Sequence, residues 1–150
     1  MDFPRDRTIF NYSTREEANK FPHIVVESVM SVLRHTHVIN AKDYNPYGGG
    51  VGHFEATFGA HVTDKQVDLI SKHERVYLWM DNDEAGWKAT ESLIRRLERS
   101  VDLWVIDSPW EEDPGDLPFA VVGNWRQMAI PSSLWSRPTN LRSWRRANGV

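Results

Sequence analysis

Asp81 and Asp83, one residue apart, close the short apolar run Val76 to Met80, and Gly86 and a long helical pattern follow them. Side chains alternate along an extended chain, so both aspartates point one way and Asn82 the other. Two carboxylates side by side repel unless a cation lies between them, and hard divalent ions such as Mg²⁺ take oxygen ligands of this kind. Asp-Asn-Asp is also a good polar turn for capping the next helix, and the bare pair leaves both readings open. Further acids stand in similar places. Glu27 closes His23-Ile-Val-Val26; Asp107 follows Leu103-Trp-Val-Ile106, with Glu111-Glu-Asp-Pro-Gly-Asp116 soon after it. One acid at a strand end means little, whereas several on one edge of a sheet make a metal site.

The elements around these residues decide whether such an edge exists. His23 to Glu27 is short and β-branched, a buried strand, and Ser28 to His35 has Val29, Val32 and Leu33 at helical spacing. Val38-Ile39 reads as the start of a strand, and Asp43 to Gly52 as a turn-rich flexible insertion; its Gly run lacks the Gly-Lys-Ser/Thr ending of a phosphate loop. Phe54 to Phe58 resumes a strand. Thr63-Asp-Lys-Gln66 is a capping box opening a helix to about His73. Beyond Gly86, the apolar Ala85, Ala89, Leu93 and Leu97 recur every fourth residue, while Lys88, Arg95 and Arg99 face out. Strands alternating with helices predict an α/β fold with a mainly parallel sheet of about four strands, whose ligands sit beyond the strands' carboxyl ends. Glu27, Asp81 and Asp83 all lie there.

Composition bounds the rest. The chain has 150 residues, 40% hydrophobic and 26% charged, as expected of one globular domain with a real core. It has no cysteine, which excludes disulfides, thiolate zinc sites and cysteine nucleophiles. No apolar run approaches a membrane span and the N-terminus has no signal-peptide core, so the expectation is a cytoplasmic protein. A net charge of −3 gives no global pull on nucleic acid, leaving that role to local patches.

Glu27 after its strand, Thr57-Phe-Gly59 before a capped helix, Met80-Asp-Asn-Asp-Glu-Ala-Gly86 and Asp113-Pro-Gly-Asp116 together resemble the Toprim domain, most closely that of bacterial and phage DNA primases. The resemblance covers residues 22 to 120 and implies a Toprim-like Rossmannoid domain over 22–122, between an N-terminal arm, 1–21, and a tail, 123–150. It implies Glu27 as general acid/base or metal-associated residue, Asp81 and Asp83 as paired Mg²⁺ ligands (Mn²⁺ also serving), and Asp113 and Asp116 as further acids. Gly59, Gly86 and Lys88 would contact phosphate. The implied activity is primase-like nucleotidyl transfer in DNA replication, with single-stranded DNA or RNA and nucleotides as substrates and a zinc-module or helicase protein as partner. The same acids would serve a Toprim nuclease, and the fold would serve a non-catalytic module in a replication complex.

Two departures stand out. Primases usually carry an acid four residues after the glutamate, where Ser31 stands here, and the cysteine-rich zinc module is missing. The chain is therefore expected to be a fragment of a larger system or a small stand-alone Toprim protein. The tail interleaves Trp125, Trp135 and Trp144 with Arg126, Arg137, Arg142, Arg145 and Arg146. Such a mixture can stack on bases and hold phosphates, or pack back on the domain. His35 and His37 read as surface or core residues, and His61 lies near the expected edge.

Overall fold

The computed structural model describes residues 4–13, 21–40 and 52–138, without side chains at 36–40. Residues 14–20 of the arm, the insertion at 43–52 apart from Gly52, and Arg142, Trp144, Arg145 and Arg146 lie outside the described residues. Four strands are parallel: β1 (His23–Val26), β2 (His53–Ala56), β3 (Arg75–Trp79) and β4 (Asp102–Ile106). A short fifth strand, β5 (Ala129–Pro131), is antiparallel to β4, and the order is β2-β1-β3-β4-β5. The helices are α1 (Val29–Asn40), α2 (Asp64–Ile70), α3 (Glu84–Leu97) and α4 (Phe119–Gly123).

The alternation of each strand sorts its residues between two cores. Val25, Val76, Leu78, Leu103 and Val105 face one side and pack with Ile70 of α2 and Leu93 and Leu97 of α3. Ile24, Val26, Phe54, Tyr77 and Trp79 face the other, with Val32 of α1, Val122 of α4 and Trp125. Each fully buried aliphatic side chain here contributes about 1.5–3 kcal/mol, so the two cores together fix the register that aligns the strand ends. The predicted amphipathic stripe of α3 holds at Ala89, Leu93 and Leu97, whereas Ala85 is exposed.

Three features differ from the reading of the sequence. Val38 and Ile39 continue α1 instead of starting a strand, because their β-branched side chains do not override a helix already nucleated from Val29. Helix α2 ends at Ile70, short of His73. The sheet also continues past residue 122: Trp125 is 1% exposed, its ring 4.6 Å from that of Tyr77, and β5 adds to the edge of β4. Residues of the N-terminal arm are likewise built in. Ile9 is in the core, and Phe10 bridges Ala56 by hydrogen bonds of 2.9 and 3.1 Å.

Candidate metal and phosphate site

The parallel register brings the ends of β1 and β3 level, with Val26 opposite Trp79. The next residues on each strand therefore meet. Glu27, 8% exposed, accepts a hydrogen bond on Oε1 from the Asp81 backbone N–H at 3.0 Å. Burial, then the charge of Asp81, pushes the Glu27 carboxyl up to about 7, and Asp83 and Asp113 add to the rise. Asp81 itself is raised to about 6 by burial and by the carboxylates of Asp113, Asp83 and Asp116. Five acids from three segments thus share one field at the carboxyl edge of the sheet.

Each acid is held differently. Asp83 is the N-cap of α3, its Oδ1 accepting from Gly86 N–H at 2.8 Å, so the polar-turn reading of Asp-Asn-Asp is also true of it. Asp113 Oδ1 accepts from Gly115 N–H at 2.7 Å and Asp116 N–H at 3.2 Å, which curls its loop toward the edge. The buried His35 ring bonds to the Pro114 carbonyl and anchors that loop; burial holds the imidazole below its ordinary pKa. Asp81 Oδ1, by contrast, is buried with no hydrogen-bond partner among the described residues. Asp107 faces a neighbouring pocket and is raised by burial.

Sequence reasoning passed over Asn82, which fastens the turn. Its amide nitrogen donates to the Ser108 and Trp110 carbonyls, both at 2.9 Å, and its Oδ1 accepts from Trp87 Nε1 at 2.8 Å. An amide flanked by acids that point the opposite way was the available signal. At Gly86 a Cβ would come 1.8 Å from the Asp81 carbonyl oxygen, so the missing side chain admits the Asp81 backbone.

Among the described residues, two open grooves lie toward this end of the domain, and the first includes Glu27 and Asp81. One, of about 370 Å³, is lined by Arg5, Glu27, Ser28, Val29, Phe58, Gly59 and Asp81. Its wall is shaped by left-handed backbone at Phe58 and Gly59 (φ 66° and 133°), with Gly59 N–H bonded to the Glu27 carbonyl at 3.0 Å. Gln66, buried in α2, donates at 2.9 Å to the carbonyls of Arg5, Thr8 and Thr57, which holds arm and loop together. The second groove, of about 670 Å³, carries His61, Lys88 and Arg96. Ser31 is buried beside Gly115, where a Cβ would lie 2.9 Å from its Oγ, so this position faces the Asp113 loop.

Among the described residues, the tail arginines are Arg126 and Arg137. Arg137 forms a two-pronged pair with Glu91, at 3.0 and 2.8 Å, and also reaches Glu84 at 2.8 Å. Arg126 lies over the Trp125 ring, 4.9 Å from its centroid. These two therefore pack back on the domain. Among the described residues, the ligating group drawn within 4.8 Å is found at the other end of the sheet, at His23, His53 and Glu55. The acidic edge is looser, as suits an ion held by one or two carboxylates and water.

No helix among the described residues is long and apolar enough to cross a membrane. The protein family described as Toprim-like matches residues 24–117. No curated protein matches the chain. Among solved structures it is similar to the zinc-binding and RNA polymerase domains of the Aquifex aeolicus primase, at 26% identity and TM-score 0.58 over 83% of this chain and 29% of that one. In fold it is similar to a DNA primase domain from Pseudomonas aeruginosa, at 22% identity and TM-score 0.60 over 86% and 40%. The RNA polymerase domain of the Mycobacterium tuberculosis primase DnaG gives 18% identity and TM-score 0.60 over 87% and 43%. The chain spans between 29% and 43% of the length of these structures.

Proposed function

The chain belongs to the Toprim-like family, and on that premise we propose that it is a primase-like replication domain whose acidic edge works on nucleic-acid phosphates with Mg²⁺, Mn²⁺ also serving. The observation that carries this reading is Asp81: a buried carboxylate oxygen with no hydrogen-bond partner among the described residues, beside three acids, Asp83, Asp113 and Asp116, that raise its proton affinity. Such an oxygen needs a proton or a cation. An all-oxygen donor set at a partly open edge fits Mg²⁺, which binds through one or two carboxylates and retains water. Asp81 and Asp83 would hold it, with Asp113 and Asp116 adding charge from their loop.

When bound, the ion neutralises phosphate charge and helps align attacking and leaving oxygens. The chain's own residues do the rest. Glu27, at about 7, can take or return a proton near neutral pH, the range in which general acid–base groups work best. Arg5 beside Glu27, and Lys88 in the second groove, offer positive charge to a strand or nucleotide lying across the edge. Gly59 keeps the groove wall low. The partners are single-stranded DNA or RNA and nucleotides, with a zinc-module or helicase protein supplying template reading.

Joining two nucleotides demands that both be held against the entropy of bringing them together. This edge supplies metal and phosphate contacts but no template-reading surface among the described residues. We therefore expect Mg²⁺-dependent binding of labelled single strands with nucleoside triphosphates, lost in Asp81→Asn/Asp83→Asn, and no primers from the chain alone. Metal-independent binding, equal in that variant, would overturn the site. Release of fragments from labelled DNA or RNA would instead assign a nuclease, and primers of defined length made without a partner would refute the need for one.

A further inference from the structure

At the opposite end of the sheet, β1 and β2 each begin with a histidine, and the register sets His23 beside His53. Strand alternation puts Glu55 on the same face as His53. Glu55 is 0% exposed. Its Oε1 lies 3.0 Å from His23 Nδ1 and 3.6 Å from His53 Nε2. Its Oε2 lies 3.0 Å from Nε2 of the buried His73, just beyond α2. One ligand atom from each of His23, His53 and Glu55 falls within 4.8 Å of the others.

A carboxylate fully out of water is costly unless a positive charge accompanies it. Among the described residues its hydrogen-bond partners are imidazoles alone. The His23 and His73 rings are stacked, 3.6 Å between centroids and 12° from parallel, so charging both would press like charges together. A cation from outside resolves this better than imidazolium does. The surroundings are also built as an ion site needs. His73 orients the carboxylate through its second oxygen, as outer partners of metal ligands do. His53 Nε2 bonds to the Asn11 carbonyl at 2.7 Å, so an ion must take that atom over from Asn11. His53, with 17% of its side chain exposed, leaves a way in.

The geometry points to a second metal site, His23, His53 and Glu55, for Zn²⁺ or a similar nitrogen-preferring divalent ion, distinct from the acidic edge. Two imidazoles and one carboxylate are a zinc donor set, whereas Mg²⁺ favours oxygen. The ion would take the lone pairs of His23 Nδ1 and His53 Nε2, whose hydrogens move to the other ring nitrogens, and it would displace the Asn11 contact. Glu27 lies four residue steps along the chain from His23, roughly 13 Å at about 3.3 Å per residue. The site therefore ties β1 to β2 without touching the acids.

The test uses the full chain stripped of metal by chelation, with Mg²⁺ held constant while Zn²⁺ is added. We expect one Zn²⁺ per chain by elemental analysis and a rise in melting temperature. His53→Gln should weaken Zn²⁺ binding at least about tenfold. Asp81→Asn/Asp83→Asn should leave it unchanged. Zn²⁺ binding that survives His53→Gln, or that vanishes with the two aspartates, overturns the proposal. Should His53→Gln fail to fold, Cu²⁺ bound to the wild type and to the double aspartate variant serves instead. Electron spin resonance must then show coupling to imidazole nitrogen in both, and a spectrum with oxygen ligands only refutes the site.

Discussion

Replacing Asp81 by Asn should stabilise the protein without metal and destabilise it relative to wild type with metal. Burial and neighbouring carboxylates lift Asp81 from 3.8 to about 6. Two units at about 1.4 kcal/mol each set a ceiling of about 3 kcal/mol, and solvent at the open side of the site reduces it to about 1–2 kcal/mol. The sign follows from the raised value. The folded state holds the proton more tightly than the unfolded chain, so stability from this group is full below pH 3.8 and is lost as pH rises through about 6. At pH 8 in chelator, Asp81→Asn should melt about 2–8 °C above wild type, for a chain of this size. At pH 3.5 the advantage should vanish. Saturating Mg²⁺, at about one hundred times its dissociation constant, adds about 2.7 kcal/mol to wild type and reverses the order. Calorimetry or thermal-shift curves at both pH values, with and without Mg²⁺, give all four numbers. A variant less stable than wild type in chelator at pH 8, or one that gains as much from Mg²⁺, would refute the reasoning.

Other consequences are as direct. Ser31→Asp puts a buried carboxylate against the Asp113 loop, so it should lower stability in chelator by about 1–3 kcal/mol and regain much of that in Mn²⁺; denaturation midpoints with and without Mn²⁺ check it. Gly86→Ala should cost about 1–3 kcal/mol and weaken the Mg²⁺ response, because its Cβ must displace the Asp81 carbonyl, against a helix-propensity gain of about 1 kcal/mol. Deleting 139–150 removes Arg142, Arg145 and Arg146 but spares β5 and Trp125; it should lower single-strand affinity and flatten its salt dependence with little loss of melting temperature. Anisotropy titrations at two salt concentrations read that out.

The carboxyl edge was legible because β1, β3 and β4 are short, largely apolar and followed at once or one residue later by an acid, so a period-two pattern and its ending place Glu27 and Asp81 without tertiary information. The capping box at Thr63 was legible for the same local reason. What escaped the sequence depends on distant partners. Trp125 reads as a tail aromatic until Tyr77 and the far face of the sheet are there to cover it. Arg137 looks available for phosphate until α3 presents Glu84 and Glu91 on one side. His23 and His53 open separate strands and His73 follows α2, at no ligand spacing along the chain; the register of β1 with β2 brings the first two together, and the turn after α2 adds the third to Glu55. The nearby pair that does catch the eye, His35 and His37, yields one ring that merely props the Asp113 loop.

The central claim is that Asp81 and Asp83 bind a divalent ion at the carboxyl edge. Mn²⁺ titrated into the chelator-treated protein and followed by the electron spin resonance of free Mn²⁺ measures it most directly. The His53→Gln background removes any share from the histidine cluster. The account predicts saturable binding there, abolished by adding Asp81→Asn and Asp83→Asn. Mn²⁺ bound with unchanged affinity by the triple variant would contradict it.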